Sequence, residues 1–157
     1  ALSIADRIGI IQNGRIIQCG TPHELYFAPE SAFAAEFLGN INLFGGRIIA
    51  GDDDFYTVET EGAVWQIPCT GNQKFTVGEE VFAGVRYEHF SFEVQENCNS
   101  ISAVLAEKTF MGDHTEYRFI SEKSVINVRC VNDIALSVGE KISVFADRKH
   151  TMVLKKK

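Results

Sequence analysis

Residues 5–25 read ADRIGIIQNGRIIQCGTPHEL. Two β-branched runs, residues 7–11 and 15–19, flank Asn13-Gly14. Asn-Gly between apolar runs is the strongest short hairpin signal, because both residues accept the positive φ of a type I′ turn. Thr21-Pro22-His23-Glu24 then opens a helix: Thr21 can cap, Pro22 suits the first helical position, and Glu24 can reach back to close a capping box. Upstream, residues 1–7 read as the last turns of a helix. Downstream, Pro29 ends the first helix, Ser31 can cap a second, Phe33 and Phe37 share a face four residues apart, and Gly39 is expected to stop it. Through Phe44 the chain offers two strands and short helices with large apolar side chains. That is too little to bury its own surface, so another domain is expected to cover it, as in a piece of a longer protein.

From Gly45 the helical period disappears. Strands are expected at 46–50, 55–60, 64–67, 80–94, 101–111, 115–121, 125–131, 141–146 and 152–154. Turn signals separate them at 51–54, 70–72, 97–100, 112–113, 121–124 and 138–140. Ile126, Val128 and Cys130 alternate with Asn127 and Arg129, the pattern of a half-buried strand. Many short strands at this spacing predict a mainly β fold, a small barrel or sandwich preceded by a hairpin and short helices. Two regions follow: 1–44 and 45–157.

The chain has 157 residues and 12 Phe, enough for a sizeable core. Its net charge of −6 gives no electrostatic footprint for a phosphate backbone. No apolar run reaches the roughly 20 residues of a spanning helix, and no signal-peptide pattern opens the chain. Lys155, Lys156 and Lys157 read as a frayed, solvated tail. Cys19, Cys69, Cys98 and Cys130 form no C-x-x-C pair, and small buried thiols are expected. Asp52, Asp53 and Asp54 are consecutive, which is wrong for a calcium loop and right for a hairpin tip. His23, His89, His114 and His150 have no partner at ligand spacing. There is no phosphate loop, no G-x-G-x-x-G and no G-x-S-x-G. No catalytic, cofactor-binding or metal-binding residue is assigned, and the chain is read as non-enzymatic.

The ordered string Ala5-Asp6-Arg7-Ile8, Asn13-Gly14, Gly20-Thr21-Pro22, Glu24-Leu25-Tyr26, Pro29 and Phe37-Leu38-Gly39 resembles the end of the nucleotide-binding domain in ATP-binding subunits of bacterial ABC importers. The remainder resembles the accessory TOBE domain, an OB-like β-barrel, of the polyamine, iron(III), sulfate and sugar types. The stretch 84–92, GVRYEHFSF, is similar to its G-[IV]-R-P-E strand, with Tyr87 where the pattern has Pro. Phe110, Gly112 and Tyr117 match a second motif, and 138–154 resembles the closing strands. The texture of 36–44 is closest to the polyamine and iron(III) branches.

The resemblance implies that 1–44 is the end of an ATPase domain and 45–157 the accessory domain. ATP and magnesium then belong to the parent protein and not to these residues. It also implies a cytoplasmic location against the inner membrane. The implied partners are a second copy, the missing ATPase domain, membrane permease subunits and, for some members, a small regulatory ligand, but no nucleic acid. A homodimer using residues before Phe44 is expected, through Ile8, Ile10, Ile16, Ile17, Phe33 and Phe37. A free-standing OB-like module for a ligand or oligonucleotide is the alternative, with Arg86, Tyr87 and Phe90 as its stacking platform. Choice of solute is not expected to reside in this chain.

Overall fold

The computed structural model describes residues 4–70 and 73–156. Strands β1 (Ile8–Gln12) and β2 (Arg15–Gly20) form the expected hairpin, with φ of 53° at Asn13 and 78° at Gly14. Helix α1 (Pro22–Phe27) opens on the complete capping box of Thr21 and Glu24. Helix α2 (Ala32–Phe37) is capped by Ser31, whose hydroxyl accepts from the Ala34 N–H at 3.2 Å. Two expectations fail here. Residues 4–7 form a turn and a bend instead of a helix end, and the rest of that expected helix lies outside the described residues. Gly39 does not take the left-handed conformation of a helix stop; Leu38 caps α2 in the right-handed region.

Ten strands follow: β3 (Ile41–Gly51), β4 (Phe55–Thr60), β5 (Ala63–Pro68), β6 (Glu80–Arg86), β7 (Phe90–Ser91), β8 (Cys98–Phe110), β9 (Thr115–Ile120), β10 (Val125–Cys130), β11 (Lys141–Asp147) and β12 (Thr151–Leu154). They make two five-stranded antiparallel sheets, ordered β12-β6-β3-β4-β5 and β10-β9-β8-β11-β7. The mainly β, OB-like class expected from the sequence is the observed one. Three boundaries differ by more than one residue. The long strand expected over 80–94 breaks at a 3₁₀ turn, Tyr87–His89. Tyr87 is the first residue of that turn, a position with little need of a ladder N–H, which is where a Pro is tolerated. The turn expected at 97–100 shrinks to Asn97, at φ 54°, and β8 starts at Cys98. Strand β3 starts at Ile41 and runs unbroken through Phe44 and Gly45.

One core fills the space between the sheets. Phe44, Ile48, Trp65, Ile67, Leu105, Tyr117, Phe119 and Ile126 are each at most 1% exposed. Among the described residues the two sheets share no ladder, and two buried asparagines bridge them. Asn99 accepts from the Gln66 N–H at 3.0 Å and donates to the Gln66 carbonyl at 2.8 Å. Asn42 does the same to Asn127, at 2.8 Å in both directions. Each side-chain amide thus takes the place of a backbone peptide and satisfies both polar groups of a residue on the opposite sheet.

The lead-in is less naked than its composition suggests. Ile10, Leu25, Ala34 and Leu38 form a small core of their own. Ala35 packs with Met152 and Leu154 against the outer face of the β12-β6-β3 sheet. Of the six apolar side chains expected to be uncovered, Ile10 is fully buried and only Ile16 and Phe37 stand wide open, at 67% and 64%. Lys155 is not frayed: its carbonyl accepts from the Ala32 N–H at 3.1 Å, tying the C-terminal strand to α2. Cys19, expected in the interior, is exposed because it faces outward from a two-stranded hairpin; all four cysteines are free.

Candidate functional site at the junction of lead-in and barrel

The residue that joins the two parts is Arg86, the last of β6, with no exposed surface. Its Nε and Nη2 donate to the Tyr26 carbonyl at 3.3 and 2.8 Å, and its Nη1 donates to the Ala35 carbonyl at 3.2 Å. These carbonyls lie in the last turns of α1 and α2, where helix geometry leaves acceptors unpaired. One guanidinium therefore caps two helices, with its positive charge at their partially negative ends. The planar fork also lies over the Tyr26 ring, with Cζ 3.9 Å from the centroid.

The rest of the GVRYE motif serves the same joint. The Tyr26 hydroxyl donates to Glu88. Burial, then the hydrogen bond to Glu88, push the Tyr26 phenol up to about 12. Burial raises the Glu88 carboxyl, but the bond from Tyr26 and the neighbouring cations hold it below its ordinary value. A Cβ at Gly84 would stand 3.0 Å from Leu154, 3.1 Å from Ile41 and 3.3 Å from Met152, so glycine lets β12 and β3 close over β6. Gly39, misread as a helix stop, is needed for space: a Cβ there would lie 3.3 Å from Tyr26 and 3.4 Å from Arg86.

Arg86, Tyr87 and Phe90 do not form a stacking platform. Arg86 and Phe90 are buried and Tyr87 is half-buried, its ring 5.8 Å from the Arg129 guanidinium. Asp52 accepts from the N–H groups of Asp54 and Phe55, both at 2.8 Å, as a hairpin tip should, and these bonds hold its carboxyl low. Two of the scattered histidines come together: His89 and His150 stack with centroids 4.1 Å apart. Sequence spacing carries no signal for this pairing across 61 positions. Among the described residues no cluster of three metal-ligating side chains occurs. Open clefts include a groove of about 640 Å³ lined by Glu61, Ser102, Ser121 and Lys141, another of about 630 Å³ beside the Asp52 tip, and a smaller one of about 260 Å³ bordered by His89 and His150.

No protein-family model matches the chain. Individual relatives do. The spermidine/putrescine import ATP-binding protein PotA of Thermotoga maritima is 32% identical over 122 residues, 74% of this chain and 33% of that protein. The sulfate/thiosulfate import ATP-binding protein CysA of Bacillus cereus is 36% identical over 110 residues, covering 70% of this chain and 28% of the relative. This chain is related to the ATP-binding subunits of bacterial ABC importers. A third relative, PotA of Rubrobacter xylanophilus, is 29% identical and aligns with 98% of the chain, lead-in included. The chain spans about a third of the length of the curated relatives it matches. Among solved structures, the cytoplasmic molybdate-binding protein ModG superimposes with a TM-score of 0.64 at 13% identity, over 73% of this chain and 95% of that one. At that identity the likeness establishes the OB-like fold alone.

Proposed function

We propose that this chain is the C-terminal regulatory and dimerisation region of the ATP-binding subunit of an ABC solute importer. Its parent couples ATP hydrolysis to solute uptake at the cytoplasmic face of the inner membrane. Residues 1–44 are the end of the ATPase domain and 45–157 the accessory domain, with β3 passing from one to the other as a single strand. ATP and magnesium are bound by the preceding part of the parent, which also drives the permease subunits. The chain by itself is not an enzyme. Among the described residues no helix is long and apolar enough to cross a membrane, which suits a peripheral place.

The observation that carries the reading is the Arg86 joint, together with the relatedness to importer subunits. A fully buried cation that binds the ends of both lead-in helices makes lead-in and barrel one mechanical unit. A displacement of the ATPase end would then be delivered to the barrel, and the reverse. The dimer surface is assigned to the hairpin and α2, where Ile11, Ile16 and Phe37 remain more than 60% exposed. Light scattering on the whole chain should give a dimer. An Ile16→Glu, Phe37→Glu variant, altered only at exposed positions, should give a monomer. A monomer at high concentration for the unaltered 157-residue chain, or a dimer indifferent to both changes, contradicts this assignment.

A further inference from the structure

Four rings run in a file from the lead-in into the barrel. His23 and Phe27 of α1 lie 4.6 Å apart, Phe27 faces His89 at 6.2 Å and 24°, and His89 stacks on His150 at 4.1 Å and 14°. His89 belongs to the 3₁₀ turn after β6, and His150 to a second one, Arg148–His150, before β12. The two 3₁₀ turns are held side by side by the ladders that flank them, Val85 with Thr151 and Phe90 with Ala146, whereas α1 lies outside every ladder and meets the pair through Phe27. The His89 Nδ1 is buried without a hydrogen-bond partner. Face-to-face imidazoles at this distance pack well when neutral. A charge on either ring is partly desolvated, although both rings border an open cleft, and it repels a second one.

We propose that the His89–His150 stack is a proton-operated loosening of one lead-in contact: protonation of the pair displaces the His89 ring and weakens its packing against Phe27 of α1, which stays tethered through Arg86. The inference rests on this joint and not on the importer reading. The charged groups around the pair come from every side. Arg86 and Glu88 flank His89, Asp147 and Lys149 flank His150, and His23 stands beyond Phe27. They do not cancel the penalty. Burial, then the charge of His150, lowers the His89 imidazole, and the attraction of Glu88 does not restore it. Burial, then Lys149, lowers His150 despite Asp147.

A histidine depressed in the folded state stabilises the fold fully above its unfolded value of about 6.5. That contribution disappears as pH falls through the lower folded values. Acid therefore acts on the α1 contact while the Arg86 bonds, whose donor stays charged, persist.

The test is hydrogen exchange of the α1 amides in the whole chain, corrected for intrinsic rates, at about pH 7.5 and about pH 5.5. We expect α1 protection to fall about tenfold on acidification while β9 protection is unchanged, and the fall to shrink below about threefold in His150→Phe, which keeps a ring but cannot titrate. His23→Gln should leave the wild-type fall intact. Equal protection at both pH values, or an equal fall in wild type and His150→Phe, overturns the proposal. Should His150→Phe fail to fold, nuclear magnetic resonance on the wild type decides. The α1 amide shifts must follow the His89 and His150 titrations; shifts that follow His23, or none, overturn it.

Discussion

Arg86 is the residue on which the junction depends most. Replacing it by Met removes three charge-assisted hydrogen bonds and leaves the Tyr26 and Ala35 carbonyls buried without partners. A loss of about 3 kcal/mol is expected in a urea melt followed by the single Trp65. Arg86→Lys keeps the charge but not the fork, and should recover less than half of that. Tyr26 adds a pH signature. Its phenol is raised in the folded chain to about 12, so the fold favours the protonated form. That contribution is complete below the ordinary tyrosine value of about 10 and is lost as pH rises towards the folded one. Absorbance titration should show one of the 4 tyrosines ionising well above the rest, and Tyr26→Phe should remove that step. The sequence makes Gly84 and Arg86 stand out as a motif. It does not say why they matter, because the reason lies in contacts with residues 60 or more positions away, Tyr26 for Arg86 and Leu154 for Gly84.

Among the elements, strands with strict alternation and turns with a positive-φ residue were legible. The Asn13-Gly14 hairpin, the Thr21 capping box and β4, β9 and β10 fall where local pattern places them, to within a residue. What failed depended on tertiary partners. The 3₁₀ turn at Tyr87 carries β-prone residues and bends because β7 must cross to the other sheet. Strand β3 extends back to Ile41 because β6 offers a ladder all the way to Arg86. Asn42 and Asn99 gave no signal, since an asparagine in a strand reads as a strand-breaker. Yet each bridges the two sheets. Asn99→Asp keeps the acceptor and loses the donor, leaving the Gln66 carbonyl unpaired; a cost of about 1–3 kcal/mol is expected by urea melt. Gly84→Ala should cost a similar amount, about 1–3 kcal/mol, by forcing Leu154, Ile41 and Met152 apart. If either variant melts with the parent chain, its assigned contact does not bear on stability.

On the scale of the whole molecule, a lead-in that reads as too small to stand alone is made part of one body. It is anchored by a small core of its own, by the packing of α2 on the barrel, by Lys155 and by Arg86. The sequence suggested the importer resemblance because an ordered series of weak motifs survives in the lead-in. It could not show that those motifs fold back on the barrel, since Arg86 and the α1 carbonyl it binds are far apart in the chain. The central claim is that this unit serves inside an importer ATPase. The direct measurement is magnesium-dependent phosphate release by the native gene product, isolated from its host with an antibody to this chain and weighed intact. The account predicts a polypeptide well above 17.5 kDa that hydrolyses ATP. A native product of 17.5 kDa without hydrolysis would contradict it.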